Sequence, residues 1–94
     1  MKKKTKRTAL KSRFSQLVKR PSISSTQDTL DQSNEAVVDL LSEWFSDLGF
    51  RCERMAVAPG KVNLIASIGQ GADGLVLSGH TDTVPVSKSW STDP

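Results

Sequence analysis

The sequence holds one cysteine, Cys52, and one histidine, His80, among its 94 residues. A lone cysteine excludes an intrachain disulfide and a cysteine-based zinc site, which points to a reducing compartment. No apolar run reaches the length of a membrane span, and no apolar core follows the basic start as a secretory signal would require. The expectation is a soluble, cytoplasmic chain with no membrane partner. With 36% apolar residues the chain suffices for one small domain at most, burying roughly 60 to 65% of its unfolded surface.

The first twenty residues contain no acid. They carry Lys2, Lys3, Lys4, Lys6, Arg7, Lys11, Arg13, Lys19 and Arg20, whereas the remainder has four basic residues against ten acidic ones, so a net charge of +3 conceals two opposite halves. A lysine-rich start can act as a phosphate-binding arm. No interleaved aromatics and no recognition motif accompany it, so nucleic acid is not the expected partner, and lysine in place of arginine argues against an organelle transit peptide. Residues 1–12 are read as a basic tail, with 1–8 frayed.

Leu10, Phe14, Leu17 and Val18 then fall at helical spacing until Pro21, which predicts a first helix near 8–19. Residues 21–26 form a turn and cap cluster. Val37, Leu41, Trp44 and Leu48, with Val38, Leu40 and Phe45, predict a second helix with a wide apolar face, closed by Gly49 as a left-handed cap. Trp44 and Phe45 are read as core and not as the lining of a cofactor pocket. Glu35, Asp39, Glu43 and Asp47 line the opposite side, read as a solvated acidic face, with pairing to the basic first helix as the alternative. Beyond Gly49 the texture changes to short extended pieces at about 50–57, 62–68 and 75–78, separated by Pro59-Gly60 and by a glycine-rich link. Cys52 falls in the first of these, where a lone cysteine reads as a small buried hydrophobe. Gly69, Gly71 and Gly74 spell G-x-G-x-x-G, but the third glycine opens no helix, so the spacing reads as a hairpin loop and not as a nucleotide cradle.

The most informative stretch is residues 75–84, Leu-Val-Leu-Ser-Gly-His-Thr-Asp-Thr-Val. A buried strand ending in Gly79 would deliver His80 to the rim of a sheet, where ligands of α/β folds sit. In extended chain His80 and Asp82 share a face while Thr81 points away. A carboxylate so placed can hold one imidazole nitrogen and leave the other free for a metal. His80 is therefore the candidate metal ligand, and Asp82 its orienting partner and the candidate catalytic residue.

Residues 78–85, Ser-Gly-His-Thr-Asp-Thr-Val-Pro, resemble the first signature of the metal-dependent aminoacylase and carboxypeptidase family, the co-catalytic zinc exopeptidases and deacylases. Arg20-Pro21-Ser22-Ile23-Ser24, Leu48-Gly49-Phe50 and Asn63-Leu64-Ile65-Ala66 agree with it in order and separation. Residues 30–34 and 66–71 look most like a bacterial branch that removes acetate from an N-acetylated amino acid. The likeness runs from about residue 13 to Pro94, and only the His80 region is diagnostic of chemistry.

The resemblance implies an α/β fold in which two helices pack on the opening strands of a mixed sheet, with residues 13–94 forming the amino-terminal portion of a larger zinc-exopeptidase-like catalytic domain. It implies one or two divalent ions, Zn2+ or Co2+, with His80 as the first metal ligand and Asp82 as the aspartate that steers it. A small-molecule N-acyl amino acid is the implied substrate and a homodimer the implied state of the full-length protein. The family's bridging aspartate, general-base glutamate and remaining ligands match nothing up to Pro94, so the 94 residues alone are expected to be inactive. A sister deacylase or dipeptidase, and a non-catalytic interaction segment using the basic arm, are the alternatives.

Overall fold

The computed structural model describes residues 6–94, so Lys2, Lys3 and Lys4 of the expected tail lie outside the described residues. Two helices precede a hairpin: α1 (Lys6–Lys19), α2 (Glu35–Asp47), β1 (Arg51–Ala58) and β2 (Lys61–Ser67). This is an α/β composition, with helices and strands in the order the hydrophobic periods predict.

Helix α1 starts at Lys6, so the part of the basic tail from Lys6 to Lys11 is helical and not frayed. It buries no residue: Leu10, Phe14 and Val18 remain 63%, 65% and 55% exposed. The expectation that both helices pack on the strands is therefore corrected: α2 packs against β1 and β2, whereas α1 buries no side chain. The apolar side chains of α1 are interleaved on one side with Arg7 and Lys11, leaving a weak stripe to bury.

Helix α2 is the packed one. Val37, Val38 and Leu40 are the buried apolar residues, while Leu41, Trp44 and Phe45 are half-buried. Leu48, expected on the apolar face, is 68% exposed because the helix is ending there. The N-H of Gly49 bonds to the Ser46 carbonyl and that of Phe50 to the Phe45 carbonyl, and Gly49 takes a φ of +91°, the double closure of a Schellman cap. The Phe45 and Phe50 rings meet edge to face at 5.0 Å and seal the turn. On the polar side Asp39 pairs with Arg54 of β1, so the partner of the acidic face comes from the sheet and not from α1.

Strands β1 and β2 pair antiparallel from Arg51 opposite Ser67 to Ala58 opposite Lys61, with Val57 extruded as a bulge. The link is Pro59-Gly60: proline fixes its own φ near −65°, and Gly60 adopts +73°, the pair of values a type II turn uses. Cys52, Arg54 and Ala56 lie opposite Ala66, Leu64 and Val62 on one face. Cys52 is half-buried there, its thiol directed at the Ser42 carbonyl 3.7 Å away, so it sits at the helix–sheet seam without being fully enclosed. Met55 and Ile65 are on the other face, each about half exposed.

The third predicted strand does not form. Residues 74–82 have no regular structure, and Leu75, Val76 and Leu77 are 85–87% exposed. An apolar run of that kind is stable as a strand only with neighbours on its edges and cover on its faces, and the described residues supply neither. The expected mixed sheet is likewise reduced to an antiparallel hairpin and an isolated parallel bridge between Ile23 and Thr83. The glycine stretch expected as a hairpin loop joins β2 to no further strand, so that expectation is corrected along with the strand; no helix follows it either, Gly69 and Gly71 have φ of +85° and +123°, and Arg51 bonds the Gly69 carbonyl. No helix among the described residues is long and apolar enough to cross a membrane.

Candidate metal-binding pair

The support for this region is built from the segment between the helices. Ser33 Oγ accepts the Glu35 N-H at the start of α2. Asn34 leaves its capping role to Ser33 and reaches sideways: its Nδ2 donates to the Val62 carbonyl at 2.8 Å and its Oδ1 accepts the Val62 N-H at 2.9 Å. A single amide thus reproduces the pairing of a missing strand residue. Lys61 adds a second joint, its ammonium bonding Asp31 Oδ1 and the backbone carbonyls of Ile23 and Gln32. The hydrogen bond from Lys61, and next that from the Ser25 N-H, hold the Asp31 carboxyl below the usual carboxylate range.

Ile23 is fixed from the other side by Gln32, through its N-H to Gln32 Oε1 at 3.0 Å and its carbonyl to the Gln32 N-H at 2.8 Å. Its neighbour Ser22 is 2% exposed. The Ser22 carbonyl accepts the Thr83 N-H at 3.1 Å, and the two hydroxyls share a hydrogen bond of 3.2 Å. This contact brings the motif around His80 back to the rest of the molecule.

From Thr81 to Val84 the chain alternates as the sequence requires. Thr81 and Thr83 are half-buried, while His80, Asp82 and Val84 are exposed. His80 Nδ1 lies 2.7 Å from Asp82 Oδ1, with the imidazole 83% and the carboxylate 54% exposed. A proton on Nδ1 is then shared with the carboxylate, and the Nε2 lone pair is left facing outward. Thr81 and Asp82 border a shallow hollow of about 250 Å³ shared with Ser22, Asn34, Lys61 and Val62. The two residues singled out from sequence are therefore adjacent and in contact. They are carried on an irregular segment and not on the end of a buried strand.

As a donor set this is one imidazole nitrogen with its carboxylate support, which suits zinc or cobalt as a single ligand. A protein zinc centre takes three or four donors, and the described residues contain no group of three histidine, cysteine or acidic side chains able to hold a metal. Sequence reasoning did not foresee the clamp of Ser22, Asn34, Lys61 and Thr83. The only signal for it was that Pro21-Ser22-Ile23-Ser24 and Thr83 both fall inside the family-like stretches.

An imidazole steadied by a carboxylate and left with one free nitrogen is the form in which metal-binding histidines occur in hydrolases. No family model matches the chain. The chain is similar to the acetylornithine deacetylase of Shigella sonnei (strain Ss046), with 55% identity over 82 residues, which cover 83% of this chain and 21% of that relative. The chain thus spans about a fifth of the relative's length. A deacetylase relative agrees with the deacylase branch read from residues 30–34 and 66–71.

Proposed function

We propose that this chain supplies the first metal-donating histidine, with its orienting carboxylate, to a metal-dependent amidohydrolase that converts N-acetyl-L-ornithine to ornithine and acetate in arginine biosynthesis. The observation that carries the reading is the 2.7 Å contact between His80 and Asp82, in a stretch similar to a deacetylase. Asp82 accepts the Nδ1 proton, fixes the tautomer and makes Nε2 a better donor. A divalent ion, Zn2+ or Co2+, held at Nε2 would supply Lewis-acid polarisation of an amide carbonyl and of water. The chain's own residues do the rest: Ser22 and Thr83 hold the backbone, and the exposed imidazole leaves room for further donors around an ion held at Nε2.

The test belongs in a polypeptide carrying these residues at the relative's full length. There His80→Ala is expected to lower bound zinc and abolish release of acetate. Asp82→Ala keeps the fold and much of the metal while slowing turnover about 10- to 100-fold, the usual cost of losing such a partner. Undiminished turnover in His80→Ala sinks the assignment. N-acetylornithine assayed beside N-succinyl-diaminopimelate separates this substrate from that of a sister desuccinylase. The 94 residues alone, with one donor, are expected to show neither stoichiometric zinc binding nor turnover.

A further inference from the structure

Both members of the pair are solvent-exposed, the imidazole at 83% and the carboxylate at 54%. Two mobile side chains keep a 2.7 Å contact only if the backbone that carries them is fixed, because each lost rotamer otherwise opposes it. Residues 74–86 have no sheet to fix them. Among the described residues, one backbone hydrogen bond outside helices and strands ties that stretch to the rest of the molecule, from the Thr83 N-H to the Ser22 carbonyl. The hydroxyl pair of the same two residues lies beside it.

We infer that Ser22 and Thr83 are positioning residues, which hold Asp82 against His80 Nδ1 and so set the imidazole tautomer. The line of support runs from the hairpin and the Lys61 joint through Gln32 and Ile23 to Ser22, and from Ser22 across to Thr83. Ser22 is buried with its hydroxyl satisfied by Thr83, so the Ser22 hydroxyl needs its partner. Substitution of Thr83 by valine keeps the shape and the N-H but strands the Ser22 hydroxyl, which loosens the bridge one residue from Asp82. The inference rests on the reading of His80 as a metal donor whose free nitrogen matters.

The experiment uses the ¹⁵N-labelled 94-residue chain and long-range ¹H–¹⁵N spectra of its imidazole, recorded at mildly alkaline pH. His80 is the only histidine, so its ring signals are unambiguous. In the native chain the Nδ1-H form should dominate. Thr83→Val and Ser22→Ala should lower the ratio of Nδ1-H to Nε2-H by about threefold or more, as expected when a tautomer-fixing contact is weakened, and Thr83→Ser should restore it. The amide signals of β1 and β2 report that the fold is intact. An unchanged ratio in Thr83→Val, or a collapsed one in Thr83→Ser, overturns the positioning role. Failure of the underlying reading looks different: the ratio would then be indifferent to Asp82→Asn, because the carboxylate would not be what holds the Nδ1 proton.

Discussion

Replacing Asn34 by alanine removes the two hydrogen bonds, 2.8 and 2.9 Å long, that join the entrance of α2 to the backbone of Val62. Each is worth about 0.5 to 1.5 kcal/mol net, which brackets the loss at about 1 to 3 kcal/mol. Val62 is half-buried, so its freed N-H and C=O gain partial access to water, and the expected cost settles near 2 kcal/mol. For a chain of this size that lowers Tm by roughly 8 to 16 °C, at 4 to 8 °C per kcal/mol. Thermal unfolding followed by far-ultraviolet circular dichroism measures it. Asn34→Asp sharpens the test, because it keeps an acceptor for the Val62 N-H but turns a carboxylate oxygen toward the Val62 carbonyl, and it should destabilise at least as much as alanine. If Asn34→Ala unfolds within about 0.5 kcal/mol of the native chain, the ordinary range of a neutral surface change, water replaces these bonds without penalty and apolar contacts alone hold α2 on β2.

Asp31 has its carboxyl depressed mainly by Lys61, so its contribution to stability is complete above the ordinary carboxylate value near 4 and fades as pH falls through the lower folded value; Lys61→Met should flatten the acid limb of a pH–stability curve measured by urea titration. Gly49→Ala meets no atom within 4 Å, so its cost comes from the φ of +91° alone and should be about 1 to 2 kcal/mol, read in the same urea titration. Val38→Ala removes two carbons from a side chain that is 1% exposed and should cost roughly 2 kcal/mol once the cavity is included. Phe14→Ala, at 65% exposure on α1, should stay within about 0.5 kcal/mol; a larger loss would mean that α1 is buried in solution.

Local rules carried most of what the sequence revealed. The period of 3.6 placed α2, Gly49 announced its end, and Pro59-Gly60 marked the break between the first two extended pieces, because each depends on residues within a few positions of one another; the hairpin itself was expected one link later, at the glycines. The contact of His80 with Asp82 was legible for the same reason, being a matter of alternation over three residues. The partners of an element are a different matter. Residues 75–77 have the composition of a buried strand, but composition does not provide the neighbours, and they stand 85–87% exposed. Leu10, Phe14 and Val18 have helical spacing and form a helix, yet nothing in that spacing says whether a surface exists to receive them. The clamp joining Asn34 to Val62 and Ser22 to Thr83 was not foreseen, since hydrogen bonds across 28 and 61 residues leave no periodic trace.

The Ser22–Thr83 bridge also has a place in time. The hairpin closes over two residues, whereas this bridge spans 61. Loop entropy separates it from the 28-residue joint at Asn34 by only about 0.6 to 0.7 kcal/mol, since the cost grows with the logarithm of length. The larger difference is in the reward, which is one backbone bond and one hydroxyl pair with no apolar seal. The bridge therefore forms after the α2–hairpin unit and opens before it, and amide exchange at Thr83 should outpace exchange in β1 and β2. A ligand that needs the closed form draws on that opening equilibrium and stabilises the bridge in return. Order around His80 is thus set by occupancy as well as by folding.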